Sequence, residues 1–169
     1  ELIKDNWSEI GIKLFSKPSQ RDVLRNRIFS GQTMMAVWSG LENGMANAEF
    51  EPNELAVTSQ HQYQWPQWGQ YVETKGRSGM TPDLKAVIEL DNLHKEWKKT
   101  TDKKYKKEIW HKMLKIHSDE TFTIGIVSGV RQPIVVRKNL INIPKDGIYN
   151  WNPGSHLGIY RPETFWYKK

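Results

Sequence analysis

Residues 11–38 read GIKLFSKPSQRDVLRNRIFSGQTMMAVW and decide the predicted fold class. Residues 12–15 have the pattern of a short strand, which Pro18 closes. The following apolar stripe predicts a helix that ends at Gly31. Residues 34–38 then form a short continuous apolar run, which is typical of a buried strand. Because a strand, a helix and a strand in this order favour a right-handed parallel crossover, we predict an α/β fold.

Further elements are predicted on both sides of this stretch. Apolar residues before Gly11 recur at near-helical spacing, so we expect the sequence to start inside a helix and to be a piece of a longer protein. Residues 82–100 and 102–116 have the pattern of a helical hairpin. Residues 122–127 and 134–136 have the apolar runs of buried strands. Residues 39–79 show no regular period, and their aromatic content predicts an ordered, irregular surface.

Composition excludes several classes of protein. The chain has 169 residues, of which 37% are apolar and 26% are charged, a balance that argues against both a disordered tail and a membrane protein. The sequence contains no cysteine, which rules out disulfides, thiolate zinc sites and a cysteine nucleophile. An ordinary globular domain or one lobe of a larger protein is therefore expected.

The net charge of +6 comes mostly from one corner of the chain. Between Lys95 and Lys107 there are seven lysines against Glu96 and Asp102, a local net charge of +5. Lysines at the junction of two amphipathic helices usually form a solvated face, and no arginine clusters with aromatics there, so we predict no nucleic-acid function. A stand-alone interaction module that binds an anionic partner through Lys95 to Lys107 is the alternative to the function proposed below.

An acidic and aromatic stretch covers residues 28–74. It contains no lysine or arginine, and its five glutamates give a local charge of −5. Aromatic rings mixed with carboxylates are typical of sites that hold cations, sugar rings or peptide groups. An ordinary acidic loop with buried aromatics is an equally good interpretation. The aromatics of the stretch are Phe29, Trp38, Phe50, Tyr63, Trp65, Trp68 and Tyr71.

Catalytic and metal motifs are weak throughout. His111 and His117 lie six residues apart on a predicted helix, about 240° around its axis, and therefore cannot chelate one ion. Ser155 beside His156 has no glycine elbow around it, and neither a Walker loop nor G-x-G-x-x-G is present. Glu51 and Glu54 could act as an acid and a base, but the sequence does not fix the distance between their carboxylates. We predict no enzymatic activity, no cofactor and no metal.

Several of these segments together resemble one family. The entry from Asn6 to Leu14, the helix ending at Ser30-Gly31 and the strand leading into Trp38-Ser39-Gly40 are similar to the carboxy-terminal lobe of the oligopeptide and dipeptide class of periplasmic solute-binding proteins (family 5). The downstream order agrees, since a helical hairpin at 82–117 precedes a strand and a proline-containing crossover at 123–136. The resemblance extends over nearly the whole chain.

The resemblance implies one lobe of a type II periplasmic binding fold, with a mixed sheet flanked by helices. Residues 1–129 would be the carboxy-terminal ligand-binding lobe, truncated at its amino end, and residues 130–169 the crossover and carboxy-terminal segment that packs toward the missing amino-terminal lobe. The implied function is solute binding for an ABC importer, with an ABC permease as partner. The implied location is periplasmic, or lipid-anchored and extracytoplasmic.

The turn after the strand at 34–38 is the expected ligand site, because ligands bind outside the carboxyl ends of strands in open α/β sheets. Relatives carry an aspartate-rich turn there that meets a peptide amino terminus. Here the aspartate is absent and Glu42 could substitute for it, so a peptide, a sugar or an opine-like compound all remain open. Trp65 and Trp68 would stack on the ligand or pack the long loop onto the lobe. The predicted ligand-binding residues are Trp38, Ser39, Gly40, Glu42, Asn43, Trp65 and Trp68.

Overall fold

Helices dominate the computed structural model, which describes residues 2–40, 47–151 and 156–168. Helix accounts for 43% of the described residues and strand for 3%, so the predicted α/β class is wrong. The chain divides into two units, residues 1–35 and residues 36–169, and each is described by itself. No helix among the described residues is long and apolar enough to cross a membrane.

The first unit contains two short helices, as predicted. Helix α1 spans Leu2–Glu9 and helix α2 spans Arg21–Phe29. Each is followed by a glycine with positive φ, Gly11 at 81° and Gly31 at 72°. Glycine adopts this left-handed conformation without steric cost, so both residues end their helices as expected.

The predicted strands do not form. Residues 12–15, 34–38, 122–127 and 134–136 contain no strand, and the sheet that the described residues do contain is a two-stranded antiparallel ribbon. This ribbon pairs β1 (Leu140–Ile141) with β2 (Trp166–Tyr167). The parallel crossover and the mixed sheet flanked by helices are therefore wrong. The reason is that a strand needs a neighbour for its backbone N–H and C=O groups, which an apolar run does not itself supply.

Those apolar runs are instead largely exposed to solvent. Met34 is 98% exposed and Val135 is 96% exposed. Between Thr121 and Arg137, the backbone of the intervening residues enters none of the backbone hydrogen bonds observed in the described part of the chain. Residues 122–136 are thus an extended apolar segment without a ladder.

The second unit is built on a helical hairpin. Helix α4 spans Lys85–Lys99 and helix α5 spans Lys103–Glu120, which confirms the predicted hairpin. Asp102 caps α5 as expected, since its carboxylate accepts hydrogen bonds from the backbone N–H groups of Lys104 (2.9 Å) and Tyr105 (3.4 Å). Helix α5 ends at Thr121, which adopts a left-handed conformation.

The core lies along the facing sides of this hairpin. Buried residues on α4 and α5 repeat at three- and four-residue intervals, so each helix presents one apolar stripe. Trp65 and residues 55–57, which precede the hairpin in the sequence, complete the cluster. Its buried members are Leu55, Ala56, Val57, Trp65, Val87, Leu90, Leu93, Trp97, Ile109, Trp110 and Met113.

One helix within residues 39–79 was not predicted. Helix α3 spans Pro66–Glu73 and starts with its proline at the first turn, where the missing N–H costs nothing. Gly69 is buried in this helix, and a Cβ at its position would overlap the backbone carbonyl of Ser59. Glycine at position 69 therefore permits close approach between α3 and the preceding loop.

The core position of Leu90 yields a stability prediction. Leu90 is fully buried, whereas Leu114 on α5 is 45% exposed. We expect Leu90→Ala to lower the free energy of unfolding by about 2 to 5 kcal/mol, because it leaves a cavity in the shared core. The measurement is urea denaturation followed by circular dichroism. Leu114→Ala is the matched control and should change it by less than about 1 kcal/mol; equal effects would contradict the assigned core.

Candidate functional site

Four aromatic side chains of the hairpin bind one irregular segment, residues 47–57, which we call the tethered segment. From α4, the indole N–H of Trp97 donates to the carbonyl oxygen of Ala48 (3.2 Å). From α5, the indole N–H of Trp110 donates to the carbonyl oxygen of Phe50 (3.1 Å).

Two histidines add to these bonds. His94 Nε2 lies 3.0 Å from Glu51 Oε1, and His117 Nε2 lies 2.9 Å from the carbonyl oxygen of Leu55. Since a carbonyl oxygen is only an acceptor, Nε2 of His117 carries the proton. Side chains of the hairpin thus satisfy backbone groups that secondary structure would otherwise satisfy.

Gln62 closes the loop that follows the tethered segment. Its Oε1 accepts hydrogen bonds from the backbone N–H groups of Thr58 (2.9 Å) and Ser59 (3.1 Å), and from the indole N–H of Trp65 (2.9 Å). Its Nε2 donates to the carbonyl oxygens of Asn53 (2.8 Å) and Ala56 (2.9 Å). Gln62 is itself buried, so one side chain satisfies four backbone groups of this loop, of which the Ala56 carbonyl is buried.

The acidic and basic parts of the sequence meet in this region. Lys103 Nζ lies 2.8 Å from Glu49 Oε1, and Lys98 Nζ lies 2.6 Å from Glu51 Oε1. Lys106 Nζ lies 3.9 Å from the centre of the Trp97 ring, a cation–π contact. Lys95 Nζ also pairs with Asp91 Oδ2 on its own helix (2.5 Å), so four lysines of the Lys95–Lys107 corner are engaged within the chain.

The ion pairs shift the pKa values of their members. The hydrogen bond from Lys103 holds the pKa of Glu49 below its usual value. Burial raises the pKa of Glu51, but hydrogen bonds from Lys98 and His94 outweigh it, and the net shift is downward. Burial lowers the pKa of His94, and the hydrogen bond to Glu51 only partly offsets this. Near pH 7, His94 is therefore neutral and Glu51 is ionised.

The expected ligand site is only partly described. Trp38, Ser39 and Gly40 lie within the described residues, whereas Glu42 and Asn43 lie outside them. Trp38 is 40% exposed, and its ring centre lies 5.0 Å from that of Tyr63 at an interplanar angle of 43°. A Cβ at Gly40 would meet no atom of the described residues within 4 Å.

The two other predicted tryptophans lie on or against the core. Trp65 is 3% exposed, and its ring makes edge contacts with His117 (5.8 Å) and Phe122 (5.2 Å). Trp68 is half-buried and packs against the core cluster. Of the two roles left open for these residues, the burial of Trp65 leaves it no face for a ligand and gives it the packing role.

The weak catalytic candidates stay apart from one another. His111 is exposed on α5, while His117 is engaged with Leu55. Ser155 lies outside the described residues, and the ring of His156 stacks on Tyr149 at 4.6 Å. Within residues 2–40, 47–151 and 156–168, no cluster of three or more histidine, aspartate or glutamate residues could hold a metal ion.

The residues that build this region were missed because their signals are not periodic. His94 and Trp97 follow the apolar spacing of α4, and that spacing indicates only that they face the core. Their acceptors lie more than forty residues away in the sequence. The one available signal was complementary charge, since the glutamates at 49 and 51 and the lysines at 98 and 103 belong to the two oppositely charged stretches.

Comparison with known proteins gives no further guide, because no protein-family model, no curated protein and no solved structure matches the chain.

The network around Gln62 yields a second stability prediction. We expect Gln62→Ala to lower the free energy of unfolding by about 1 to 3 kcal/mol or more, because buried N–H and C=O groups lose their partners. Thermal or urea unfolding measures this change. Gln132→Ala, at an exposed residue of the extended segment, is the control and should be nearly silent. A silent Gln62→Ala would contradict the network.

Proposed function

We propose that the chain is a non-catalytic binding part of an extracytoplasmic solute-binding protein that delivers a small polar ligand to an ABC permease. The resemblance of its sequence to the oligopeptide and dipeptide class is the starting point, and because the strands of that fold do not form here, the proposal concerns function alone. The protein would act in the periplasm or at a lipid-anchored extracytoplasmic position.

One observation carries the proposal, namely the half-open aromatic pair of Trp38 and Tyr63. Trp38 is 40% exposed, its ring lies against that of Tyr63, and Gly40 follows two residues later in the chain. This arrangement favours stacking on a sugar ring or a peptide group, since a ring held in place loses less conformational freedom on binding. The lack of lysine and arginine in residues 28–74 favours a cationic or hydroxyl-rich ligand.

The exposed apolar side chains of residues 122–136 support the proposal that another part of the same protein covers this surface. Several of its apolar side chains are exposed, among them Val127 and Val130, each at 72%. Exposed apolar stretches of this kind mark contact surfaces. We propose that this surface, with the segment from residue 130 onward, faces the amino-terminal lobe of the same protein, and that ligand is held between the two.

The alternative function, binding of an anionic partner through Lys95 to Lys107, has less support. Lys98 and Lys103 are paired with Glu51 and Glu49, and Lys106 lies over Trp97. An anionic partner would have to compete with these contacts. We therefore favour solute binding.

The ligand site can be tested with the chain alone. A chain that supplies only part of a ligand site binds weakly, so saturation-transfer NMR is suitable because it detects such complexes. We expect signal from at least one member of a library of short peptides, disaccharides and opine-type compounds. Trp38→Ala should abolish this signal, because it removes the stacking face.

Trp166→Ala is the matched control, since Trp166 is also exposed, at 54%, but lies on the ribbon at the end of the chain. It should leave the signal unchanged. A library without any signal, or a signal that survives Trp38→Ala, would contradict the site. Binding to heparin that is lost on changing Lys98, Lys99, Lys103 and Lys104 to glutamate would favour the alternative function.

A further inference from the structure

A buried histidine sits at the centre of the contacts that hold the tethered segment. His94 is 5% exposed, and its Nε2 forms a hydrogen bond with the Glu51 carboxylate, which also forms an ion pair with Lys98. The indole N–H groups of Trp97 and Trp110 donate to Ala48 and Phe50, which lie within three residues of Glu51 in the tethered segment. The contact of His94 is therefore part of the same attachment.

Few charged groups act on His94, and each has a defined position. Glu51 approaches from the tethered segment, and Lys98 and Asp91 lie on the same helix, α4. Helix α5 contributes apolar side chains such as Ile109 and Met113 to the shared core. Glu49 and Lys103 form the neighbouring ion pair. A proton on His94 would thus place a second cation beside Lys98, with one carboxylate, Glu51, bonded to both.

We propose that His94, with Glu51 and Lys98, is an acid-sensitive latch: acidification releases residues 47–51 of the tethered segment from the α4–α5 hairpin, while the hairpin and the buried residues 55–57 stay folded. Protonation makes the buried imidazole a cation that burial disfavours, and release lets it reach water. Release of residues 47–51 leaves the core in place, because these residues contain no helix or strand and are held by hydrogen bonds and ion pairs from side chains of the hairpin. The segment's buried members of the core are Leu55, Ala56 and Val57.

The direction of the pH dependence follows from the two pKa shifts. The pKa of His94 lies below its usual value of 6.5 when the segment is bound, so the released form binds a proton more tightly. Attachment is therefore complete above about pH 6.5 and weakens as the pH falls below it. The pKa of Glu51 lies below its usual value of 4.5, so loss of its charge weakens attachment only at still lower pH.

Exchange of the two indole N–H protons tests the latch in the whole chain. Protection factors correct for intrinsic exchange, and NMR gives those of Trp97 and Trp110 individually. Between about pH 7.5 and about pH 5.5 we expect both to fall several-fold, up to about tenfold for each unit by which the pKa of His94 differs between the two forms. The backbone amide of Met113, within α5, should keep its protection. Equal loss at Met113 would mean global unfolding and would overturn the latch.

His94→Gln keeps a side-chain N–H donor for Glu51 but takes up no proton. In this variant the indole protection should not change over the same range. His111→Gln, at an exposed histidine of α5, is the control and should respond as the unaltered chain does. A pH response that persists in His94→Gln would overturn the proposal.

Direct titration of the His94 ring by NMR gives an independent result should His94→Gln fail to fold. We expect the ring to titrate below the usual histidine range, together with the loss of indole protection. Titration at or above that range, or indole protection that does not change with pH, would overturn the latch. None of these measurements depends on ligand binding, so they stand apart from the proposed function.

Discussion

The structure of the second unit depends on the hydrogen bonds that ring N–H groups of the hairpin donate to the tethered segment. Trp97, Trp110 and His117 reach three backbone carbonyls, and His94 reaches a carboxylate of the same segment. Each such bond contributes about 1 kcal/mol net, but an unpaired buried carbonyl would cost more. The rings therefore allow a segment with a single short helical turn to enter a core, and Leu55, Ala56 and Val57 are buried as a result.

The same attachment explains the uneven charge of the sequence. A basic corner and an acidic stretch lie apart in the chain, yet Glu49 and Glu51 meet Lys103 and Lys98 in the fold. The exposed pair at Glu49 contributes little to stability. The pair at Glu51 is joined to a buried histidine, which makes that position sensitive to protonation. The charged residues that suggest an external partner in the sequence thus partly form ion pairs with each other within the chain.

The hairpin was predictable because its signals are local. Asp102 caps α5 through atoms two and three residues away, and the apolar stripes of α4 and α5 are visible at helical spacing. The strands were not predictable in the same way. Residues 34–38 and 134–136 have strand composition, but a strand forms only beside a partner strand. Among the described residues, such pairing joins only Leu140–Ile141 and Trp166–Tyr167.

The candidate site divides along the same line. The sequence by itself determined that residues 28–74 are acidic and aromatic, that two helices follow, and which faces of those helices are apolar, since these properties depend on residue type and short-range spacing. Only the tertiary structure decided that Trp65 is buried while Trp38 is half-open beside Tyr63. It also decided that His94 meets Glu51 across forty-three residues. Burial and long-range contacts arise from how the elements pack. A contact between residues so far apart in the chain produces no local sequence pattern by which it could be predicted.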